Sequence, residues 1–364
     1  MNVPKLRFKE FNDEYAKLKY KDVLKIKSGK DQKQVEDENG KYPILGTGGQ
    51  IGKTNSFLYD KPSVLIGRKG TINKPQYMES PFWTVDTLFY SHIYEPNIPK
   101  YLFYSFQNVN WKKYDESTGV PSLSSSTIES VECSIPSPNE QIKVANFLSL
   151  LDKKIELQTK KIEDLKLFKL YMENQFIFKD DASYTEYKLR DILIEGNKTP
   201  IADTSKYQKL TIKLNLKGLE FNESQKEMSD KRPFYVRDEN ELIIGKQNYF
   251  NGSIAIVDKK YAGGICSNAI MSFKAKDGFD IKYIYLYLSQ KSYMKQREFL
   301  ANGTGQKELS EKEFLNFSIR IPSDNKVKKI IKNVNCISKK ILLEKNKLNK
   351  LIELKRGLMQ NMFV

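Results

Sequence analysis

Residues 46–54 read GTGGQIGKT. A glycine cluster ending in Gly52-Lys53-Thr54, behind the apolar run Tyr42-Pro43-Ile44-Leu45, has the residue types of a phosphate-binding loop. In such a loop backbone amides and a lysine hold phosphate oxygens at a helix N-terminus. The spacing does not fit. The first glycine of that pattern would fall on position 47, which is Thr, with Gly46 and Gly48 on either side. The dinucleotide pattern G-x-G-x-x-G, counted from Gly46, ends on Ile51. The chain then continues through Asn55, Ser56 and Pro62 with no helical period. The stretch reads as a glycine-rich turn between strands.

Other chemistry is equally sparse. The one histidine, His92, cannot build a nucleophile–base triad or a multi-histidine metal site. Cys133, Cys266 and Cys336 lie far apart and form no C-x-x-C pair, which points to a reducing cytoplasmic setting without structural zinc. No close acid pair stands out, and no Asn-Pro-Pro-Tyr-like run of the amino-methyltransferase kind is present. The start, MNVPKLRFKEF, lacks a signal peptide's apolar core, and no apolar stretch is long enough for a membrane span. The charge is lopsided: 61 basic against 45 acidic residues, a net +16. That favours a polyanionic partner, because neutralised phosphates release counterions. The chain reads as a binder more than a catalyst.

The elements that would position binding residues occur twice. Thr118-Gly119, Leu123-Ser124, Ile135-Pro136-Ser137 and Lys153-Lys154-Ile155 recur as Thr304-Gly305, Leu309-Ser310, Ile321-Pro322-Ser323 and Lys339-Lys340-Ile341, offset by about 186 residues. More loosely, Ser63-Val64-Leu65-Ile66-Gly67-Arg68 matches Glu241-Leu242-Ile243-Ile244-Gly245-Lys246. The centres of the two copies differ most. After each copy comes a heptad pattern. In the first, the seam is Leu148, Leu151, Ile155, Ile162, Leu165 and Met172; in the second it is Val334, Ile337, Ile341, Leu348, Leu351 and Leu358. It turns polar at matching places, Gln158 and Glu344, then Lys169 and Lys355. A polar seam residue lowers stability but fixes register and partner. Four heptads, without Gly or Pro across most of the run, make a helix of about 40 Å, and two such helices would most simply pack on each other as an antiparallel pair. In the globular part ahead of each helix the spacing predicts strands over 63–66, 85–92, 241–244 and 253–257, and helices over 100–106 (KYLFYSF) and 281–289 (IKYIYLYLS). The fold class is α+β: two similar domains, each followed by a long helix, the two helices forming an antiparallel coiled coil. The boundaries are 1–147, 148–178, 179–326 and 327–364.

These residues, in this order, resemble the specificity subunit of type I restriction–modification systems. The resemblance covers nearly the whole chain. It is carried by the opening PKLRFKEF from Pro4, by Ile66-Gly67-Arg68-Lys69-Gly70-Thr71 followed by Pro81-Phe82-Trp83-Thr84-Val85-Asp86-Thr87, by the Thr-Gly…Leu-Ser…Ile-Pro-Ser-Pro-Asn-Glu-Gln run ending at Gln141, and by Lys355-Arg356-Gly357-Leu358-Met359-Gln360. The second copy departs from it, with Asp324 and Asn325-Lys326 in place of Pro138 and Glu140-Gln141, so its helix is expected to begin later or to fray.

The resemblance implies two target recognition domains, each reading one half of a bipartite, asymmetric site on double-stranded DNA. The paired helices would set the spacing and dock two methyltransferase subunits, which restriction (translocase–nuclease) subunits would join. The chain itself would carry no chemistry; S-adenosylmethionine, ATP and Mg2+ would belong to the partners. Within that frame the candidate DNA-binding residues are Gly48, Gly49, Lys53 and Thr54 in the glycine-rich turn; Arg68, Lys69, Thr71, Asn73 and Lys74 in the next; and Lys213, Lys246, Gln247, Asn248, Tyr249 and Asn251 in the second copy. Gln247 and Asn248 have the side chains that pair bidentately with adenine. Two other readings stay open: a coiled-coil scaffold without DNA readout, and a self-contained DNA-modifying enzyme.

Overall fold

The computed structural model describes residues 2–177, 183–222, 232–300 and 308–364. They fall into two compact units, Met1–Ile162 with Leu343–Val364, and Glu163–Leu342. Thr304-Gly305 of the repeat lies outside the described residues.

In the first unit the chain runs β1 (Ala16–Lys19), the one-turn helix α1 (Tyr20–Val23), β2 (Leu24–Lys27), β3 (Tyr42–Gly46), β4 (Gly49–Thr54), β5 (Ser63–Gly67), β6 (Gln76–Met78), β7 (Trp83–Thr84), β8 (Leu88–Ile93), α2 (Pro99–Asn108), α3 (Ser125–Ser130), β9 (Glu132–Ile135) and α4 (Pro138–Ile177). Four strands, β2-β8-β5-β6 in that order, form an antiparallel sheet, and β1 pairs with β9. Leu24 and Ile26 of β2 point inward while Lys25 and Lys27 point out, the period of two that a half-buried strand requires. Proline at the first position of α2 has no N–H to waste. That helix drives Tyr101, Leu102, Tyr104 and Phe106 into a core shared with Tyr20 and Trp111. The strand expected over 85–92 starts only at Leu88, because Val85 donates its N–H to Leu45 and accepts that of Leu88, closing a turn first.

The second unit follows the same plan: β10 (Thr185–Lys188), α5 (Leu189–Ile192), β11 (Leu193–Glu195), β12 (Leu210–Ile212), β13 (Leu219–Phe221), β14 (Phe234–Val236), β15 (Leu242–Gly245), β16 (Ile254–Ile256), β17 (Ile265–Ser267), β18 (Ile270–Ala275), α6 (Ile281–Leu288), α7 (Lys291–Arg297), α8 (Glu311–Leu315), β19 (Ser318–Ile321) and α9 (Asp324–Met362). Its sheet order, β11-β18-β15-β16, repeats the first, and β10 pairs with β19 as β1 does with β9. Even single bonds recur. Tyr101 donates its hydroxyl to Ser134 O at 3.3 Å, and Tyr283 to Arg320 O at 3.0 Å. What differs is inserted: β3, β4 and β7 form a three-stranded side sheet in the first unit, whereas the pairs β12–β13 and β14–β17 stand in the second.

Both long helices start earlier than residues 148 and 327, and α9 neither begins late nor frays at its start. Asp324 stands at the position of Pro138, and the Val327 N–H already bonds to Ser323 O at 3.0 Å. The Glu140-Gln141 pair therefore has another use. Glu140 is 1% exposed and accepts both prongs of Arg7, at 2.8 Å each, and the Tyr15 hydroxyl at 2.9 Å. Gln141 accepts the Ile98 N–H and donates to Pro136 O. These residues anchor an N-terminal arm, and Leu6 N–H adds a bond to Asn361 O in α9.

The seam residues of α4 and α9 are buried or half-buried: Leu148, Leu151, Ile155, Ile162, Leu348, Leu351 and Leu358 belong to the first unit, and Leu165, Met172, Val334, Ile337 and Ile341 to the second. Within the first unit the two helices run antiparallel, since Gln158 meets Glu344 and Asp152 meets Lys355 at 2.6 Å. Glu344 is only 4% exposed. Gln158 donates to its carboxylate at 2.6 Å and to its carbonyl at 3.0 Å, and Lys161 and Lys347 lie at 3.0 and 3.3 Å. Of the other polar seam residues, Lys169 bridges to Glu173, and Lys355 lies over the Tyr104 ring. Among the described residues no helix is long and apolar enough to cross a membrane. The hydrogen bond from Gln158, then that from Lys161, hold the Glu344 carboxyl down to about 2, from an ordinary 4.5. Its contribution is thus complete above pH 4.5 and is lost as pH falls toward 2. Glu344→Gln is expected to lower the melting temperature at pH 7, with the difference shrinking as pH is lowered from about 5 to about 3. A difference that stays constant with pH would show that the carboxylate charge is not what the seam holds.

Candidate nucleic-acid interface

The GTGGQIGKT stretch is a hairpin, not one extended turn. β3 and β4 pair with Gly46 opposite Gly49, leaving Thr47-Gly48 at the tip. Gly49 has φ +111°, which glycine alone adopts freely, and open space surrounds both Gly48 and Gly49. Lys53 is exposed on β4. Gln76 ties this hairpin to the next turn by donating to Gly46 O at 2.8 Å.

That next turn, 68–74, leaves β5 and is pinned from below by Ile72, which is 1% exposed in the main core. The pin leaves Arg68, Lys69, Asn73 and Lys74 exposed and Thr71 half-buried. Loop 115–123 lies alongside: Gly70 N–H donates to Pro121 O at 2.8 Å and Leu123 N–H to Arg68 O at 2.9 Å. Asp115 holds that loop by accepting from the Ser117 and Ser122 amides. Lys53, Arg68, Lys69 and Lys74 make no ion pair among the described residues, so an unpaired cationic surface is presented with Thr118-Gly119 beside it. Sequence reasoning used Thr118-Gly119 only as a repeat marker. Its recurrence was the one signal in the sequence that marked it.

In the second unit Lys246 takes the place of Arg68, and Leu309 N–H donates to Lys246 O at 2.9 Å as Leu123 does to Arg68. The turn that follows exposes Gln247, Asn248 and Asn251, with Asn251 donating to the Asn248 side-chain oxygen at 3.2 Å. The β12–β13 hairpin docks on it, since Asn215 and Leu216 donate their N–H groups to Asn251 O and Gly252 O. Lys213 sits at the turn end of that hairpin and is ion-paired with Glu220, which raises its pKa. The first unit therefore presents unpaired cations, and the second presents amides with lysines already held by carboxylates.

Two candidates do not face solvent. Thr54 is fully buried at the end of β4, where its hydroxyl accepts the Ser56 N–H. Tyr249 is fully buried among Phe250, Phe314 and Phe317, and its hydroxyl donates to Leu288 O at 2.9 Å. Both are pieces of the scaffold beneath the turns.

The family of known proteins described as "Type I restriction modification DNA specificity domain" matches residues 12–167 and again 182–354. The chain belongs to this family. Each match covers one copy of the repeat. The chain is also 24% identical over 148 residues to the type I restriction enzyme EcoDI specificity subunit of Escherichia coli, a match covering 40% of this chain and 32% of that protein; it thus spans about a third of that relative. The S subunit of a type I restriction–modification system from M. genitalium superposes on the whole chain and 99% of its own, with TM-score 0.65 and 16% identity. A chain from a type I restriction–modification assembly superposes over 95% of this one and 96% of its own, with TM-score 0.56 and 10% identity. These likenesses establish that the specificity-family fold extends over both units.

Tyr249→Phe separates scaffold from surface. It is expected to lower unfolding free energy in urea by about 1 kcal/mol, the worth of one buried hydrogen bond. A variant as stable as the parent would mean that the Leu288 bond contributes nothing.

Proposed function

We propose that this chain is the DNA-reading, non-catalytic subunit of a type I restriction–modification complex, each unit reading one half of a bipartite, asymmetric site. One observation carries the reading. The same four-stranded scaffold occurs twice, and at the same point after its central strand it holds Arg68-Lys69 in one copy and Lys246-Gln247-Asn248 in the other. Phosphate contacts position a protein on a duplex, while base-edge contacts from Arg, Lys, Asn and Gln specify sequence. A shared scaffold with unlike turns is what two unlike half-sites demand.

The long helices set the spacing between half-sites in this reading. α4 has 40 residues and α9 has 39, each about 60 Å at 1.5 Å per residue. Their outer faces also expose large apolar residues, among them Leu150, Leu157, Leu167 and Tyr171 of α4 and Leu342 and Leu354 of α9. Solvated helices seldom leave so many uncovered, and covering by two methyltransferase subunits accounts for them. Restriction subunits join those. S-adenosylmethionine, ATP and Mg2+ act on the partners.

Methylome sequencing of cells carrying this chain with its methyltransferase partner is expected to reveal a two-part motif with a fixed gap; a contiguous or absent motif counts against the reading. Arg68→Ala and Lys74→Ala in the assembled complex are each expected to weaken binding for all sequences and to flatten the plot of log affinity against log salt by about 0.9. An unchanged slope would remove those residues from the phosphate contacts. Adding one heptad to both helices lengthens each by about 10 Å, so the gap is expected to grow by about three base pairs at 3.4 Å each, with half-site sequences unchanged. Altered half-sites would mean that the helices themselves read bases.

A further inference from the structure

Beneath the Lys246 turn the second unit has a half-open cavity of about 210 Å³, lined by Lys198, Tyr235, Arg237, Lys246, Asn268 and Glu311 among others. Arg237, on its wall, is 3% exposed, yet its Nε has no hydrogen-bond partner. Its Nη1 donates to Asn197 O at 3.1 Å and lies 3.8 Å from the fully buried Glu241. A buried guanidinium N–H left unmatched is an unusual expense for a merely structural pocket.

Glu311 holds two lysines at once. Its Oε2 is 2.8 Å from Lys198 Nζ, and its Oε1 is 3.7 Å from Lys246 Nζ. A carboxylate here offers two adjacent acceptors to two ammonium groups. The O6/N7 edge of guanine offers a similar pair, and lysine is a regular partner for it. The pocket does not gather anions. Lys198, Lys246 and Arg237 are matched by Glu195, Glu311 and Glu241.

The first unit differs at this register. Ser272 lies opposite Ile243, and Tyr90 lies opposite the matching Leu65. The Tyr90 ring packs on Tyr59 and Phe82 at 5.4 and 6.0 Å, occupying with an aromatic group what Ser272 leaves open. Likewise Ser63, bonded to Ser91, stands where the second unit has Glu241, bonded to Ser272. Holding the DNA backbone is a task both copies share, so a device confined to one copy fits base reading better than phosphate binding.

We propose that this cavity reads one guanine of the second half-site, with Lys198 and Lys246 released from Glu311 to donate to the guanine O6/N7 edge. The inference rests on the DNA-reading role proposed above. Its test uses the chain assembled with its methyltransferase subunits and a set of duplexes in which every half-site position is varied in turn. The parent complex is expected to favour guanine at one second-half position by about tenfold or more. Lys246→Ala and, with both lysines left in place, Ser272→Tyr are each expected to reduce that preference to about threefold or less. Preferences in the first half and at the other second-half positions stay as in the parent, which also reports that both units of each variant are folded and assembled. The proposal is overturned if no second-half position prefers guanine, if Ser272→Tyr keeps the full preference, or if the loss is uniform over all bases with a flatter salt dependence, the mark of a phosphate contact. A parent complex with no sequence preference at all would overturn the DNA-reading role itself, and this inference with it.

Discussion

Glu344 is a carboxylate inside a helix–helix seam, and the register of that seam depends on it. A charge that is 4% exposed is tolerable only where donors surround it. Gln158, Lys161 and Lys347 supply them. A slip of one heptad along α4 would replace Gln158 opposite Glu344 with Leu151 or Leu165, side chains that donate nothing. Leucine and isoleucine alone would stabilise several registers nearly equally, so the polar contact lowers total stability but selects one of them. Any role for helices of defined length begins with that selection.

The two units apply a similar economy to their sheets. Each keeps the order of four strands, the strand pair beside the long helix, and the tyrosine that bonds across to it. Burial fixes these parts: β5 and β15 are buried along their whole length, and a single added or lost methylene there would be felt. The turns that leave β5 and β15 carry no such constraint. Ile72 anchors one from below and Tyr249 the other, and the exposed residues between anchors are free to differ. Recognition can therefore diverge between copies without repacking either core.

The periodic features were legible in the sequence because their causes are local. Heptads, alternating strands and the duplicated Thr-Gly…Leu-Ser…Ile-Pro-Ser order each state a spacing directly. The sites were less so because their partners are remote. Glu140 looked like a helix cap, yet it binds Arg7, 133 positions away. Tyr249 sits in a polar-looking turn, but its hydroxyl finds Leu288 O, 39 positions on. Thr54 was read as a phosphate contact from its neighbour Lys53, although alternation along β4 turns the two to opposite sides. The cavity beneath Lys246 left one trace, the replacement of Ser63 by Glu241 in otherwise matching strands. A fully buried carboxylate in place of a serine requires new partners, and those partners build the pocket.

The central claim is that one scaffold, used twice, presents unlike turns to separate stretches of a duplex. Missing-base interference footprinting of DNA bound by the assembled complex tests it most directly. The account predicts two short clusters of bases whose removal blocks binding, unlike in sequence and divided by an interval in which removal has no effect. A single uninterrupted cluster, or no interfering base anywhere, would contradict it.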